Sequence, residues 1–164
     1  MINIERYLKQ HGLLTRGLKI HTFSESTHTA EEAASLLHCK LSQIVKTIII
    51  VVETKEKDIP MLVILPGTKK LRQRAIRKLL RDELQLESID SRLATKEEVV
   101  NLTGYPVGAV PPISLDMPSL MDSNVQDEHV VFGGGGSTTS IIEIPTAILV
   151  ELTKPLSGNI CTPL

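Results

Sequence analysis

Residues 43–52 read QIVKTIIIVV, and how this stretch is read decides the fold. After Thr47 come five consecutive β-branched residues, Ile48 to Val52. Such side chains are stiff at χ1 and pack well on a pleated surface, so the run reads as a strand. Because it is continuously apolar rather than alternating, it reads as a strand covered on both faces. Period-2 geometry puts Lys46, Ile48, Ile50 and Val52 on one face, and Thr47, Ile49 and Val51 on the other. Lys46 thus shares a face with three aliphatic chains, where an ammonium needs water, a partner or a ligand. A strand-end lysine snorkelling to solvent meets that need as well as a ligand-binding one does.

The flanking sequence supplies the strand's neighbours. The polar stretch ETKEKDIP predicts a turn and MLVIL, 61–65, a hairpin partner that Pro66-Gly67 ends. Upstream, residues 3–11 form a short amphipathic helix and 18–23 a strand. Thr29-Ala-Glu-Glu32 is a capping-box signature for a helix over 30–37. Downstream, 71–84 carries apolar residues at 71, 75, 76, 79 and 80, which is helical spacing. Thr95-Lys-Glu-Glu98 opens another helix, which Gly104 stops, and TGYPVGAVPP, 103–112, is too rich in Gly and Pro for regular structure. Strands are expected at 113–116, 118–121 and 128–132; GGGG, 133–136, separates the last from a strand over 138–144. Pro145 is placed as the first residue of a helix through TAILVEL, and the chain from Pro155 onward is expected to be irregular. With no internal repeat and no linker, the expectation is one α/β (α+β) domain over 1–164, a mixed, mostly antiparallel sheet with surrounding helices.

Composition bounds the function. At 164 residues, with 41% hydrophobic and 23% charged residues, the chain is an ordinary globular domain. A formal net charge of −1 gives no global pull toward nucleic acid or membrane, so such binding needs a local patch. Cys39 and Cys161 are far apart in sequence and in no metal-ligand spacing, which suits free thiols in a reducing compartment. The N-terminus lacks a signal-peptide apolar block and no run approaches membrane-spanning length, so a cytoplasmic protein with no membrane partner is expected. Four aromatic residues, Tyr7, Phe23, Tyr105 and Phe132, are too few for a base-stacking platform; contact with nucleic acid would run through phosphates.

No GxSxG elbow, HExxH, P-loop or CxxC pair is present, and the five histidines fall at no zinc spacing. No metal or cofactor is therefore expected. GGGG can present backbone N–H groups to an anion, or simply make a permissive turn. TGYPVGAVPP can orient an electrophile with bare N–H groups, or tightly connect a helix to a strand. Lys69, Lys70, Arg72, Arg74, Arg77, Lys78 and Arg81 concentrate seven of the 18 Lys and Arg residues in one segment. Arg74, Arg77, Lys78 and Arg81 share one helix face, which either tracks a phosphate backbone or is merely solvated.

The order of motifs goes further. HTF at 21–23, TAEEAASLL at 29–37, QIVKT at 43–47, the hairpin ending in PG at 66–67, TGYPVGAVPP, Asp122 and GGGG succeed one another collinearly. This succession resembles the YbaK-type aminoacyl-tRNA editing family, the prolyl-tRNA editing-domain superfamily, over residues 17–153. The resemblance implies a deacylase that hydrolyses the ester of a small amino acid wrongly attached to proline tRNA, cysteine ahead of alanine. It implies the acceptor end of mischarged proline tRNA as partner, with prolyl-tRNA synthetase as a second. Carried over, Lys46 is the essential lysine, at the terminal nucleotide phosphate or carbonyl region. Gly108 and Pro112 end a G-x-x-x-P loop whose backbone amides, with that of Ala109, hold the scissile carbonyl and α-amino group. Thr47, with His21, Asp122, Gly134 and Gly135, falls in the substrate pocket. Many members have two glycines where this chain has Gly108-Ala109. The resemblance does not assign the basic cluster; contact of Lys69, Lys70, Arg74, Arg77, Lys78 and Arg81 with the acceptor stem is read from charge alone.

Such chemistry is physically reasonable without a triad. An aminoacyl ester is already activated, so orientation and electrostatic stabilisation matter more than a strong nucleophile. Water can attack or, for cysteine, the substrate's own thiol. A pocket shaped for proline rejects similar side chains by only about 1–3 kcal/mol per methylene, which is why a second site that removes errors is useful. A non-catalytic module binding tRNA ends or nucleotides is the alternative reading.

Overall fold

A computed structural model describes residues 3–86 and 89–163. The apolar run is strand β2 (Val45–Glu53), preceded in the chain by β1 (Lys19–Thr22). It pairs antiparallel with β3 (Asp58–Pro66) through nine registered positions, from Val45↔Pro66 to Glu53↔Asp58. β4 (Lys69–Leu71) follows, then β5 (Asp90–Leu93), which pairs antiparallel with the other edge of β2. β6 (Ser119–Asp122) joins β3 in parallel. β7 (Val130–Gly134) and β8 (Ser140–Pro145) build a second, antiparallel sheet in the order β1-β8-β7. β9 (Leu156–Gly158) joins β6 in parallel, giving a five-stranded sheet β5-β2-β3-β6-β9, and β10 (Cys161–Pro163) pairs antiparallel with β4. A bridge between Ile44 and Phe132 links the two larger sheets. The helices are α1 (Ile4–Gln10), α2 (Ala30–Leu37), α3 (Gln73–Leu84), α4 (Lys96–Thr103) and α5 (Thr146–Thr153). This is the expected α/β domain with mostly antiparallel pairing.

β2 is covered on both faces. Val45 and Ile49 belong to a core cluster with Leu62, Ile64, Ile142, Ile144 and Leu149. Ile50 and Val52 belong to another, with Val63, Leu65 and Ile160, and with Ile76 and Leu80 of α3. Ile76 and Leu80 are fully buried, each contributing about 1.5–3 kcal/mol by leaving water. The caps follow the sequence. Thr95 Oγ1 accepts from Glu98 N–H at 3.1 Å and Glu98 accepts from Thr95 N–H at 2.9 Å. At α2, Thr29 Oγ1 accepts from Glu32 N–H, but Glu32 reaches past its cap and accepts from His28 N–H at 2.8 Å.

Several boundaries differ from expectation. Residues 113–116 are not a strand: Ser114 is left-handed at φ 71°, between Pro112 and Pro118, and bends the chain. The helix expected from 71 begins at Gln73, because Leu71 pairs in β4. Pro145 is the N-cap of α5, not its first residue. The chain beyond Pro155 is not irregular: it supplies β9 and β10 and buries Ile160 and Cys161. Three-residue strands are too short to show a period, and these exist only because β6 and β4 offer them edges.

The four glycines have a steric cause. β7 ends by crossing the 109–112 loop so closely that a Cβ on Gly134 would stand 2.3 Å from the Val110 carbonyl oxygen. A Cβ on Gly135 would stand 2.6 Å from the Ser140 carbonyl carbon. Gly136 N–H donates to Ala109 O at 2.9 Å, tying the two segments together. Because Gly134 faces backbone rather than a side chain that can move, Gly134→Ala is expected to destabilise the fold by about 1–3 kcal/mol. Thermal unfolding checks this; an unchanged midpoint would contradict the close crossing.

Candidate active site

Lys46 opens into a cleft of about 450 Å³. One wall is the segment Ser26–Thr29 with Ala30 and Ala33 of α2; another is Val107 and Gly108; the third is Phe132 to Gly134 with Ser137, Thr138, Ser140 and Ile141. The entry to β2 is pinned to the β7 side. Lys40 Nζ pairs with Glu128 at 2.9 Å, Ser42 donates to the same carboxylate at 2.6 Å, and Gln43 donates to Val130 O at 3.0 Å. Gly67 closes the other end of the hairpin by donating to Ile44 O at 2.8 Å, where a Cβ would press on Ala30 and Ile44 at 3.2 Å.

The cleft is electrically one-sided. Among the described residues its charged lining is Lys46, with His28 as the other titratable group, and no carboxylate faces in. Burial lowers the Lys46 pKa, as expected for an ammonium partly stripped of water. Ala33, Ile44, Phe132 and Ile141 form a small buried apolar cluster, with Ala30 packed against it, and make the floor. Hydroxyls of Ser26, Thr27, Thr29, Ser137, Thr138 and Ser140 surround it. The arrangement suits a ligand with a small apolar part and an anionic or developing-negative part.

Of the site residues read from sequence, the structure brings Lys46, Gly108 and Gly134 together in this lining. The others lie elsewhere. Ala109 is fully buried and donates its N–H to Pro106 O at 3.0 Å, so that amide is committed to a turn rather than open to a substrate. Gly108, at φ 90°, has no acceptor for its N–H among the described residues. Pro112 is buried against Gly133. Thr47 points to the opposite face of β2, with its Oγ1 buried and without a hydrogen-bond partner. Gly135 donates to Ser140 O at 3.2 Å, so with Gly136 also bonded the glycine run is not an open amide cradle. His21 pairs with Glu143 at 2.9 Å, outside the lining. Asp122 is fully buried and also outside it. Sequence reasoning did not single out the hydroxyls; their trace is the pair of Ser/Thr-rich stretches SESTHT, 24–29, and STTS, 137–140.

The basic cluster begins at the cleft's edge. Lys69 lines a neighbouring groove with Thr68, and that groove shares His28, Thr29, Ala30 and Gly67 with the cleft. Lys70 is exposed on β4, and α3 turns Arg74, Lys78 and Arg81 to solvent. Arg77 contacts Asp90 at 3.4 Å and Lys78 pairs with Asp82 at 2.8 Å, whereas Arg74 and Arg81 have no acidic partner among the described residues.

A profile of the aminoacyl-tRNA editing domain matches residues 24–152, which contain the cleft. The chain belongs to that family. It is 33% identical to a proline–tRNA ligase of Solidesulfovibrio magneticus over 146 residues, 82% of this chain and 23% of the ligase. The chain thus spans less than a quarter of the length of the curated relatives it matches. Among solved structures it superposes on a crystal structure of a hypothetical protein with a TM-score of 0.80 at 31% identity, covering 98% of this chain and 100% of that one. A second, a proposed trans-editing enzyme for prolyl tRNA synthetase, gives a TM-score of 0.75 at 28% identity, covering 99% of each chain. In this editing domain no helix among the described residues is long and apolar enough to cross a membrane. Likewise, no cluster of three or more His, Cys, Asp or Glu able to hold a metal occurs among them.

Proposed function

We propose that this domain is a trans-editing deacylase that removes a small amino acid from mischarged proline tRNA, cysteine first and alanine second. The observation that carries the reading is Lys46: a partly buried ammonium in a cleft that, among the described residues, has no carboxylate in its lining and also includes Gly108, whose N–H has no acceptor among them. In this reading the terminal nucleotide enters with its ester near Lys46, and the amino-acid side chain rests on the Ala33, Ile44, Phe132 and Ile141 floor.

Attack on the ester carbonyl makes an oxyanion, which a fixed cation and a free N–H stabilise more than they stabilise the neutral ester. With water as nucleophile, the C–O bond to the ribose breaks, the ribose oxygen takes a proton, and the free amino acid leaves. With cysteine, the substrate thiolate can close on its own carbonyl, forming a four-membered thioester ring and expelling the same ribose oxygen. That route asks nothing of the protein beyond orientation and charge, which suits a cleft lined by hydroxyls and one lysine. Lys69 lines the groove that adjoins the cleft, and in this reading the exposed Lys70, Arg74 and Arg81 that follow it in sequence give the acceptor stem a phosphate track. Prolyl-tRNA synthetase, as the source of the mischarged tRNA, is the natural second partner.

The test charges proline tRNA with labelled cysteine, alanine or proline and follows release by the purified protein. Cysteine is expected to leave fastest, alanine next, and proline to remain. Lys46→Ala should lose about 100-fold or more in kcat/KM while keeping its circular dichroism spectrum. Full turnover by that variant would contradict the assignment, and saturable tRNA binding without any release would favour the binding-module reading. The double variant Arg74→Ala/Arg81→Ala should raise KM with kcat retained. It should also flatten the dependence of binding on salt by about one in log–log slope for each phosphate no longer neutralised. Unchanged salt dependence would remove α3 from the tRNA path.

A further inference from the structure

The Lys46 cleft runs into two neighbouring hollows of opposite character. One shares Ser26, Thr27 and His28 with it and carries Glu25, Glu31 and Glu32, with no lysine or arginine in its lining among the described residues. The other, a groove of about 610 Å³, shares His28, Thr29, Ala30 and Gly67 with the cleft and continues through Thr68, Lys69 and Pro163. Glu31 also lines this groove, but it makes no ion pair with Lys69. A chain of phosphates that ends in the cleft thus meets three carboxylates on one side, and a lysine with one carboxylate on the other. Charge directs it into the second.

β4 repeats at its start the pattern that opens β2. Lys69 shares a face of the strand with Leu71, which packs on the cluster containing Ile76 and Leu80, whereas Lys70 is exposed on the other face. Lys69 is half-buried and has no acidic partner among the described residues. A partly desolvated ammonium with no counter-charge is suited to receive an anion. Beside it, Thr68 lies in the turn between β3 and β4. Its N–H has no acceptor and its hydroxyl no partner among the described residues. Cation, amide and hydroxyl are the donors that proteins turn to the phosphates of a nucleic acid.

The groove's remaining wall lies outside the matched family profile, which stops at residue 152. β10 is the strand that pairs with β4, and the register sets Pro163 opposite Lys69. Pro163 therefore stands in the groove with Lys69 and adds an apolar surface to a lining otherwise rich in polar groups. A volume of this size with a few polar anchors is ordinary for a small-molecule site.

We propose that this groove is a subsite for the nucleotide that precedes the terminal one. The phosphate joining the two lies on Lys69 and Thr68, and the preceding nucleoside rests against Pro163. The inference depends on the reading of the cleft as the seat of the aminoacyl end. It gives the site a footprint of two nucleotides, fixes the side on which the strand leaves, and gives the C-terminal ribbon a part in binding.

Three non-hydrolysable ligands test this, each carrying alanine as an amide on 3′-amino-adenosine: the nucleoside, its 5′-phosphate and its 5′-cytidylyl extension. By calorimetry, Kd should fall about tenfold from the first to the second, and further in the third. Amide shifts at Thr68 and Lys69 should accompany the phosphate and be absent with the nucleoside alone. Lys69→Ala should abolish the gain from the phosphate, and Pro163→Glu, which sets a carboxylate opposite Lys69, should do the same. Lys55→Ala removes an equal charge from the exposed turn at the far end of the hairpin and should keep the gain. No gain from the phosphate, a gain that survives Lys69→Ala, or an equal loss in Lys55→Ala would overturn the proposal. So would shifts that move instead to Glu25, Ser35 and Leu36 in the acidic hollow. If the nucleoside binds in the cleft but the extensions add nothing, this inference alone fails. If none of the three binds there, the cleft reading falls and takes this inference with it.

Discussion

The site depends on the register of β2 against β3. Side-chain period in a strand is two, so a slip of one residue would turn Lys46 onto the face now held by Val45, Thr47 and Ile49, and bury an ammonium in the larger core. Both ends of the hairpin guard against it. At the turn, Thr54 N–H donates to Lys57 O at 3.1 Å, while Thr54 Oγ1 donates to the same carbonyl at 2.7 Å and accepts from Lys57 N–H at 3.1 Å. At the other end, Gly67 is wedged against Ile44 and Ala30, where a side chain would not pass without displacing a neighbour. Between them, nine residue pairs and two apolar faces make any other register costly.

A second constraint shapes the cleft itself. The β7 glycines and the 109–112 loop approach at backbone distance, which uses the amides of Ala109, Gly135 and Gly136 for structure. What remains for a ligand is the Gly108 N–H, the Lys46 cation and a lining of hydroxyl-bearing residues, of which Thr29 caps α2 and Ser137 and Ser140 bond each other. The protein thus spends most of its loop hydrogen bonds on rigidity and leaves few polar groups pointing inward. That economy suits an activated ester, whose hydrolysis needs a fixed geometry and a place for negative charge rather than a strong base.

The sequence made some of this legible and not the rest. β2 and β3 could be read because β-branched runs have few other uses, and α3 because its apolar spacing is helical. The caps at Thr29 and Thr95 could be read because their partners are local. β9 and β10 could not, since three-residue strands exist only by virtue of the edges they fill. β5, with the sequence DSRL, carries no apolar signature because it is an edge strand beside a turn. Lys46 stood out as a charge in an apolar run. The hydroxyl wall did not, because serine and threonine in loops have too many ordinary uses. The glycine run could be read as an amide cradle or a permissive turn, and neither reading shows the close backbone contacts that a Cβ at Gly134 or Gly135 would meet. Motif order groups Asp122 with the substrate pocket, but it is fully buried and outside the cleft's lining.

The Lys46 cleft is proposed as the place where the aminoacyl end of the ligand sits. The most direct measurement is an amide 1H–15N titration with a non-hydrolysable alanyl or cysteinyl 3′-amino-adenosine analogue. Saturable shifts confined to Thr29, Ala30, Lys46, Gly108, Gly134 and Ser137, around the cleft, are expected under this proposal. A silent cleft, with shifts instead in the separate hollow lined by Tyr7, Leu115, Met117 and Leu152, would contradict it.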